Sequence, residues 1–149
     1  MDRLKLVLPT AADEQAIWDY REEFLNNNDQ HLDGTGGLAD AQDFTEWYRK
    51  NLAYRSEETT PPDKVPASTY LAVLQQTGEL IGIRHRLNEG LLKFGGHIGY
   101  SVRPSRRRQG YAVEMLRLGL EECRKLGIDR VLLTCDKTNI GSAKTIQHN

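Results

Sequence analysis

Apolar positions along the chain follow two successive patterns. Up to about residue 55 they recur at helical spacing, and from Ala67 they alternate or run together as in strands. Leu4 to Leu8 predicts a short strand closed by Pro9. Thr10 and Asp13 have the spacing of a capping box, in which each side chain reaches an orphan N–H at a helix start. Ile17, Tyr20 and Phe24 then share a face, which predicts a first helix to about Asn26. Residues 26–40, NNNDQHLDGTGGLAD, hold too much Asn, Asp and Gly for regular structure. They predict a loop of a length that is usually functional when ordered. Phe44, Trp47, Tyr48 and Leu52 mark a second helix from about Asp43 to Arg55, and SEETTPPDKVP follows as a stiff polar connector.

The extended half begins with strands at Ser68 to Gln75 and Leu80 to Leu87, with Thr77-Gly78 expected as the hairpin turn between them. Asn88-Glu89-Gly90 makes the next turn, and a third strand from about Gly95 to Val102 completes an antiparallel meander ended by Pro104. Ala112, Leu116, Gly119, Leu120 and Cys123 mark one face of a long helix running from near Gly110 to Leu126-Gly127. Arg130 to Cys135, with its apolar triplet Val131-Leu132-Leu133, suits a strand buried on both faces. Strand, helix and strand would form a right-handed βαβ unit with parallel strands. Another helix is expected from Asn139. The fold class expected is therefore α/β (α+β), a mixed, mostly antiparallel sheet with flanking helices and one βαβ unit.

Composition narrows the class. The 149 residues, 38% hydrophobic and 28% charged, fit one globular domain. The longest apolar run, Tyr70 to Leu74, is far short of the roughly 20 residues that span a bilayer, so no membrane partner is expected. Residues 1–5 carry no signal-peptide pattern, and Cys123 and Cys135 lack CxxC spacing. The two read as buried free thiols in a reducing cytoplasm, and no metal is expected. Charge is split: residues 1–70 hold 14 acidic and 7 basic side chains, and residues 71–149 hold 7 acidic and 13 basic. Such asymmetry suits an anion held by the second half and a cation met by the first, or else two solvated faces.

The segment Arg103-Pro-Ser-Arg-Arg-Arg-Gln-Gly-Tyr-Ala112 lies between a strand and a helix. The first N–H groups of a helix lack intrahelical acceptors, and the macrodipole is positive there, so an anion is the natural ligand. Gly110 lets backbone approach a phosphate, and every residue from Ser105 to Ala112 has an N–H. The segment is neither a Walker A loop nor a dinucleotide fingerprint. Arg103 and Arg106 to Arg108 form too short a basic patch, in a chain of net charge −1, for a nucleic-acid partner to be expected.

Val102-x-Pro104 followed by Arg107-x-x-Gly110-x-Ala112 resembles the acetyl-CoA-binding segment of the GCN5-related N-acetyltransferases (GNAT). The order of elements is similar too. GHIGYSVRPSRRRQGYA, LGIDRVLLTCDKTNIGSAKTI and IRHRLN look like a bacterial subgroup of predicted acetyltransferases. The resemblance implies acetyl-CoA as cosubstrate and direct transfer of its acetyl group to a primary amine. The backbone of Arg107, Arg108, Gln109, Gly110, Tyr111 and Ala112 would bind the pyrophosphate. Val102 would pair with the pantetheine arm, its N–H polarising the thioester carbonyl, and Asn139 with Ser142 would contact the same arm. Many members carry a tyrosine acid seven residues after the asparagine; here the position is Ile146, leaving Tyr111 and Cys135 as substitutes.

For the base, His97 on the third strand and His85 near the end of the second are the candidates, since imidazole titrates near the working pH. Gly95, Gly96 and Gly99 suggest a bulge and close approach of cofactor or acceptor. Trp18 and Trp47 read as core anchors. His31 and Gly34 to Gly37 suit either an acceptor lid or a plain loop, and Glu22, Glu23, Asp29 and Asp33 could draw in a cationic amine. The acceptor would be a small-molecule or peptide amine. A non-catalytic CoA-binding module is the alternative. Family members continue past the last helix into further strands, so a single domain over 1–149 with a shortened C-terminal edge is expected, and a second copy of the chain could cover the exposed strand at Arg130 to Cys135.

Overall fold

A computed structural model describes residues 4–27, 32, 34–74, 77–89, 91, 96–107 and 110–133. Four strands form one sheet: β1 (Lys5–Val7), β2 (Ala67–Leu74), β3 (Thr77–Arg84) and β4 (Ile98–Ser101). Their spatial order is their sequence order, and every neighbouring pair is antiparallel. Helices α1 (Glu14–Asn26) and α2 (Phe44–Tyr54) lie between β1 and β2 in the chain, and α3 (Tyr111–Lys125) follows β4.

The sheet sorts its side chains by the two-residue period of a strand. Tyr70, Ala72, Ile81, Ile83 and Ile98 pack with Met115, Leu116 and Cys123 of α3. Leu71 and Leu80, one residue out of phase, pack with Ile17, Tyr20 and Phe24 of α1 and with Phe44 and Trp47 of α2. The sheet is thus covered on both faces, by α3 on one and by α1 and α2 on the other. Gly119 permits the close approach of α3, for a Cβ there would lie 2.8 Å from Ile81 Cδ1.

Helix starts follow the sequence signals. Asp13 Oδ2 accepts the Thr10 N–H at 2.8 Å and Thr10 Oγ1 accepts that of Ala12 at 3.3 Å, entering α1 through a short 3-10 turn. Asp43 caps α2 by accepting the Glu46 N–H at 2.8 Å. Cys123 is buried and free, its thiol pushed up to about 11 chiefly by that burial.

Three expectations need correction. The β2–β3 ladder closes at Leu74↔Thr77, with Val73 opposite Gly78, so Thr77-Gly78 is strand and not turn. That register aligns Tyr70 with Ile81 and Leu71 with Leu80, putting both apolar faces in phase. The third strand is shorter than expected, covering Ile98–Ser101. Residues 131–133 are not assigned as strand. They run beside the approach to β4, where the His97 N–H donates to Leu132 O at 2.9 Å. The rest of that segment and the helix expected from Asn139 lie outside the described residues. No helix among those residues is long and apolar enough to cross a membrane.

Candidate active site

β4 leads into the basic turn. Pro104 starts a 3-10 turn over Pro104–Arg106, and Gly110 begins α3 with φ +83°, in the left-handed region that glycine enters without penalty. Gly110 offers no side-chain cap, and the carboxylate of Glu114 in the first turn accepts the Leu4 N–H. The positive end of α3 therefore has no capping side chain from Gly110 itself.

Upstream amides are already engaged. Glu23 of α1 accepts the Ser105 N–H at 2.8 Å and the Ser105 hydroxyl at 3.0 Å, and the Arg107 N–H turns back to Pro104 O at 3.5 Å. The Ser105 and Arg107 amides are thus committed within the protein. Part of the negative charge of the first half serves the basic turn of the second. Two of the arginines lie over aromatic rings of α1. Arg103 lies 5.1 Å over the Tyr20 ring and Arg107 5.4 Å over the Phe24 ring, with Arg107 Nε donating to Val102 O at 3.0 Å.

A buried brace fixes the start of this turn. Glu79 of β3 is 1% exposed, and its Oε2 accepts the Arg103 N–H at 2.8 Å. The Arg103 guanidinium stands 3.7 Å from the same carboxylate. Tyr20 of α1 donates to Ser101 O at 2.6 Å, and burial together with the Glu79 charge pushes its phenol well above the usual tyrosine range. Nothing in local periodicity marked Glu79. The signal available was an acid directly before the apolar run that starts at Leu80.

On the α1 and α2 side of the sheet lies a cleft of about 580 Å3, a size suited to a small molecule. Its floor includes Gly82 and Gly99, paired across β3 and β4, and the loop carrying Gly34 packs on that pair. Gly34 has φ +70°, and a Cβ there would overlap the Gly99 carbonyl. The loop is pinned from α2. Trp47 Nε1 donates to Thr35 O at 2.6 Å, and Asn51 Nδ2 donates to Gly36 O at 3.2 Å. The glycine-rich segment is therefore a built wall, and Trp47, 1% exposed, is its anchor. The close approach expected at Gly99 is made by the chain itself. Gly96, with φ +60°, lies against the Leu132 carbonyl; Gly95 is outside the described residues.

His97 is buried, and its Nδ1 accepts the Leu132 N–H at 3.0 Å. The neutral ring then carries its proton on Nε2 and has no lone pair to offer. Its backbone carbonyl accepts the Arg84 N–H, continuing the β3–β4 pairing. His85 is half-buried with Nε2 2.8 Å from Ser68 Oγ. Neither ring lines the cleft. Burial lowers both imidazoles, aided at His97 by the Arg84 charge and opposed at His85 by Glu57. A histidine kept neutral in the fold titrates first in the unfolded chain, near pH 6.5. Stability is thus expected to fall as pH drops below about 6.5, with the urea midpoint decreasing from pH 7 to pH 5. His97→Gln, which keeps an acceptor for the Leu132 N–H, should flatten that decline; an unchanged slope would remove His97 from the account.

Compared with known protein families, residues 3–149 match the acetyltransferase (GNAT) domain family. The chain belongs to the GNAT family. No curated protein and no solved structure matched it. A GNAT domain carries acyltransferase activity with acetyl-CoA as donor, and the antiparallel sheet with its flanking helices agrees with that fold. Of the GNAT cofactor positions expected, the structure brings Val102, Arg107, Gly110, Tyr111 and Ala112 together between β4 and the first turn of α3. Arg108, Gln109, Asn139 and Ser142 lie outside the described residues, as do His31, Asp29, Asp33, Cys135 and Ile146.

Proposed function

We propose that this protein transfers an acetyl group from acetyl-CoA to a primary amine by direct attack of the amine on the thioester. The observation that carries the reading is that β4 borders the cleft and leads directly into the basic turn. Gly99 forms part of the cleft, and Val102, three residues or about 10 Å along the chain, opens the cofactor turn. Donor and acceptor therefore meet along one strand.

Bound acetyl-CoA supplies the activated acetyl group. The turn opened by Gly110 is assigned to the pyrophosphate, with the stretch Arg107 to Ala112, Arg108 and Gln109 included, wrapping it and the Arg107 amide committed to Pro104 O. The Val102 N–H polarises the thioester carbonyl, an interaction that strengthens as charge develops on oxygen. Asn139 and Ser142 are assigned to the pantetheine arm. The cleft holds the amine so that its nitrogen forms a bond to the carbonyl carbon while the C–S bond breaks. The ammonium loses one proton before attack and a second as the amide forms, and the departing thiolate takes up one. His97 and His85 were expected as the base, but their contacts give that role no support. The amine is therefore assigned loss of its proton to solvent, and kcat/KM should rise with the amine's own titration and not level near pH 7.

Thiol release that requires both acetyl-CoA and an amine tests the reading. Gly110→Val should raise the KM for acetyl-CoA at least about tenfold by straining the left-handed position and blocking backbone approach. A second reading, a CoA-binding module without turnover, is favoured by the commitment of His97 Nδ1 to Leu132. Calorimetric CoA binding without thiol release across a broad amine panel would establish it in place of the first.

A further inference from the structure

Arg84, the last residue of β3, lines the cleft with a half-buried side chain. One of its terminal nitrogens donates to Gly96 O at 2.9 Å, yet a guanidinium has five N–H donors. Among the described residues no carboxylate forms an ion pair with it. A cation removed from water without a counter-ion is costly, and burial indeed holds this group below the usual arginine range. Lys50 and Lys64 also line the cleft, against the single acid Asp63 among the described lining residues. Two of the neutral polar side chains there, Thr69 and Asn51, are engaged with the protein itself. Thr69 Oγ1 donates to Asn51 Oδ1 at 3.1 Å, while Asn51 Nδ2 serves Gly36 O and Trp47 O. The charged side chains of the cleft are therefore mainly cationic.

We propose that the acceptor amine carries an anionic group, a carboxylate or a phosphate, which pairs with Arg84 while Lys50 and Lys64 draw it in from the rim. This rests on the acetyl-transfer reading above. The planar fork of arginine binds such oxyanions through two parallel hydrogen bonds, a recognition that a neutral amine cannot use. A polyamine or a lysine-rich peptide would meet like charge at the same wall.

The test compares matched amines: the twenty amino acids against their amides for the carboxylate, and O-phosphoethanolamine against ethanolamine for the phosphate. Two readouts are taken, acetylation rate and the shift in Tm on adding each amine to the protein with CoA. At least one acid or phosphate should raise Tm where its neutral counterpart does not, and should be acetylated with kcat/KM at least about tenfold higher. Arg84→Gln should erase that ratio while CoA affinity is unchanged. Should Arg84→Gln fail to fold, the double variant Lys50→Gln, Lys64→Gln should still weaken the preference. Neutral or cationic amines that perform equally well, absence of any Tm shift from the anionic amines, or a preference surviving both variants would overturn the proposal. Loss of the acetyl-transfer reading alone would show differently, as Tm shifts from anionic amines without thiol release.

Discussion

Gly34→Ala is expected to cost about 3 kcal/mol or more of stability and to deform the cleft. A non-glycine residue in the left-handed region costs roughly 1–2 kcal/mol. The added Cβ would also strike the Gly99 carbonyl, which is held in the β3–β4 ladder opposite Gly82 and cannot move aside. The loop must then lift, straining the hydrogen bonds from Trp47 to Thr35 and from Asn51 to Gly36, each worth about 1 kcal/mol. Gly37→Ala is the control. Its φ is +79°, but the nearest neighbour of a Cβ would be the flexible end of Lys50 at 3.0 Å, so only the backbone penalty applies. Urea denaturation of both variants reads the difference, and equal midpoints would mean that the contact with β4 carries no weight.

Glu79→Ala should be comparably damaging, by about 3 kcal/mol, because it removes one partner of a buried pair. The Arg103 N–H loses the Glu79 carboxylate oxygen, and the nearby guanidinium loses that carboxylate's charge. Since Arg103 begins the turn proposed to bind CoA, CoA affinity should fall with stability. Glu79→Gln retains an acceptor oxygen for the N–H and should cost less in both. Thermal unfolding and CoA calorimetry on the two variants decide the matter. A Glu79→Ala protein with wild-type Tm and CoA affinity would show that the brace is idle.

What was legible in the sequence was periodic or local. The capping box at Thr10 and Asp13, the apolar stripe of α3 and the glycine opening it are each set by residues within a few positions of one another; the box and the glycine stand where expected, while the stripe keeps Leu116, Gly119 and Cys123 but buries Tyr111 and Met115 more deeply than Ala112 and Leu120. The Gly110 turn was legible for the same reason, as strand end, glycine and helix start are contiguous. The cleft was not, because its wall depends on Gly34 meeting a β4 residue far along the chain, and no spacing rule encodes that pair. Three glycines in one segment signalled close contact but could not say with what. The placement of Arg103 and Arg107 over the Tyr20 and Phe24 rings was hidden likewise, since a basic run in a turn reads as solvated charge. Thr77-Gly78 misled because a glycine between two apolar runs satisfies the turn rule locally, while the register was decided by both faces of the sheet at once.

The closure of β2 on β3 at Leu74↔Thr77 bears on how the molecule comes together in time. So short a connection carries the smallest loop-closure cost in the sheet, and the eight-residue ladder behind it zips from neighbouring residues. β1 must instead find β2 across more than sixty residues of chain, bringing α1 and α2 with it. The hairpin is thus placed to form early and to serve as the template on which the helical layers condense. Substitutions at Tyr70 or Ile81 should slow refolding, whereas those at Leu6 should mainly hasten unfolding.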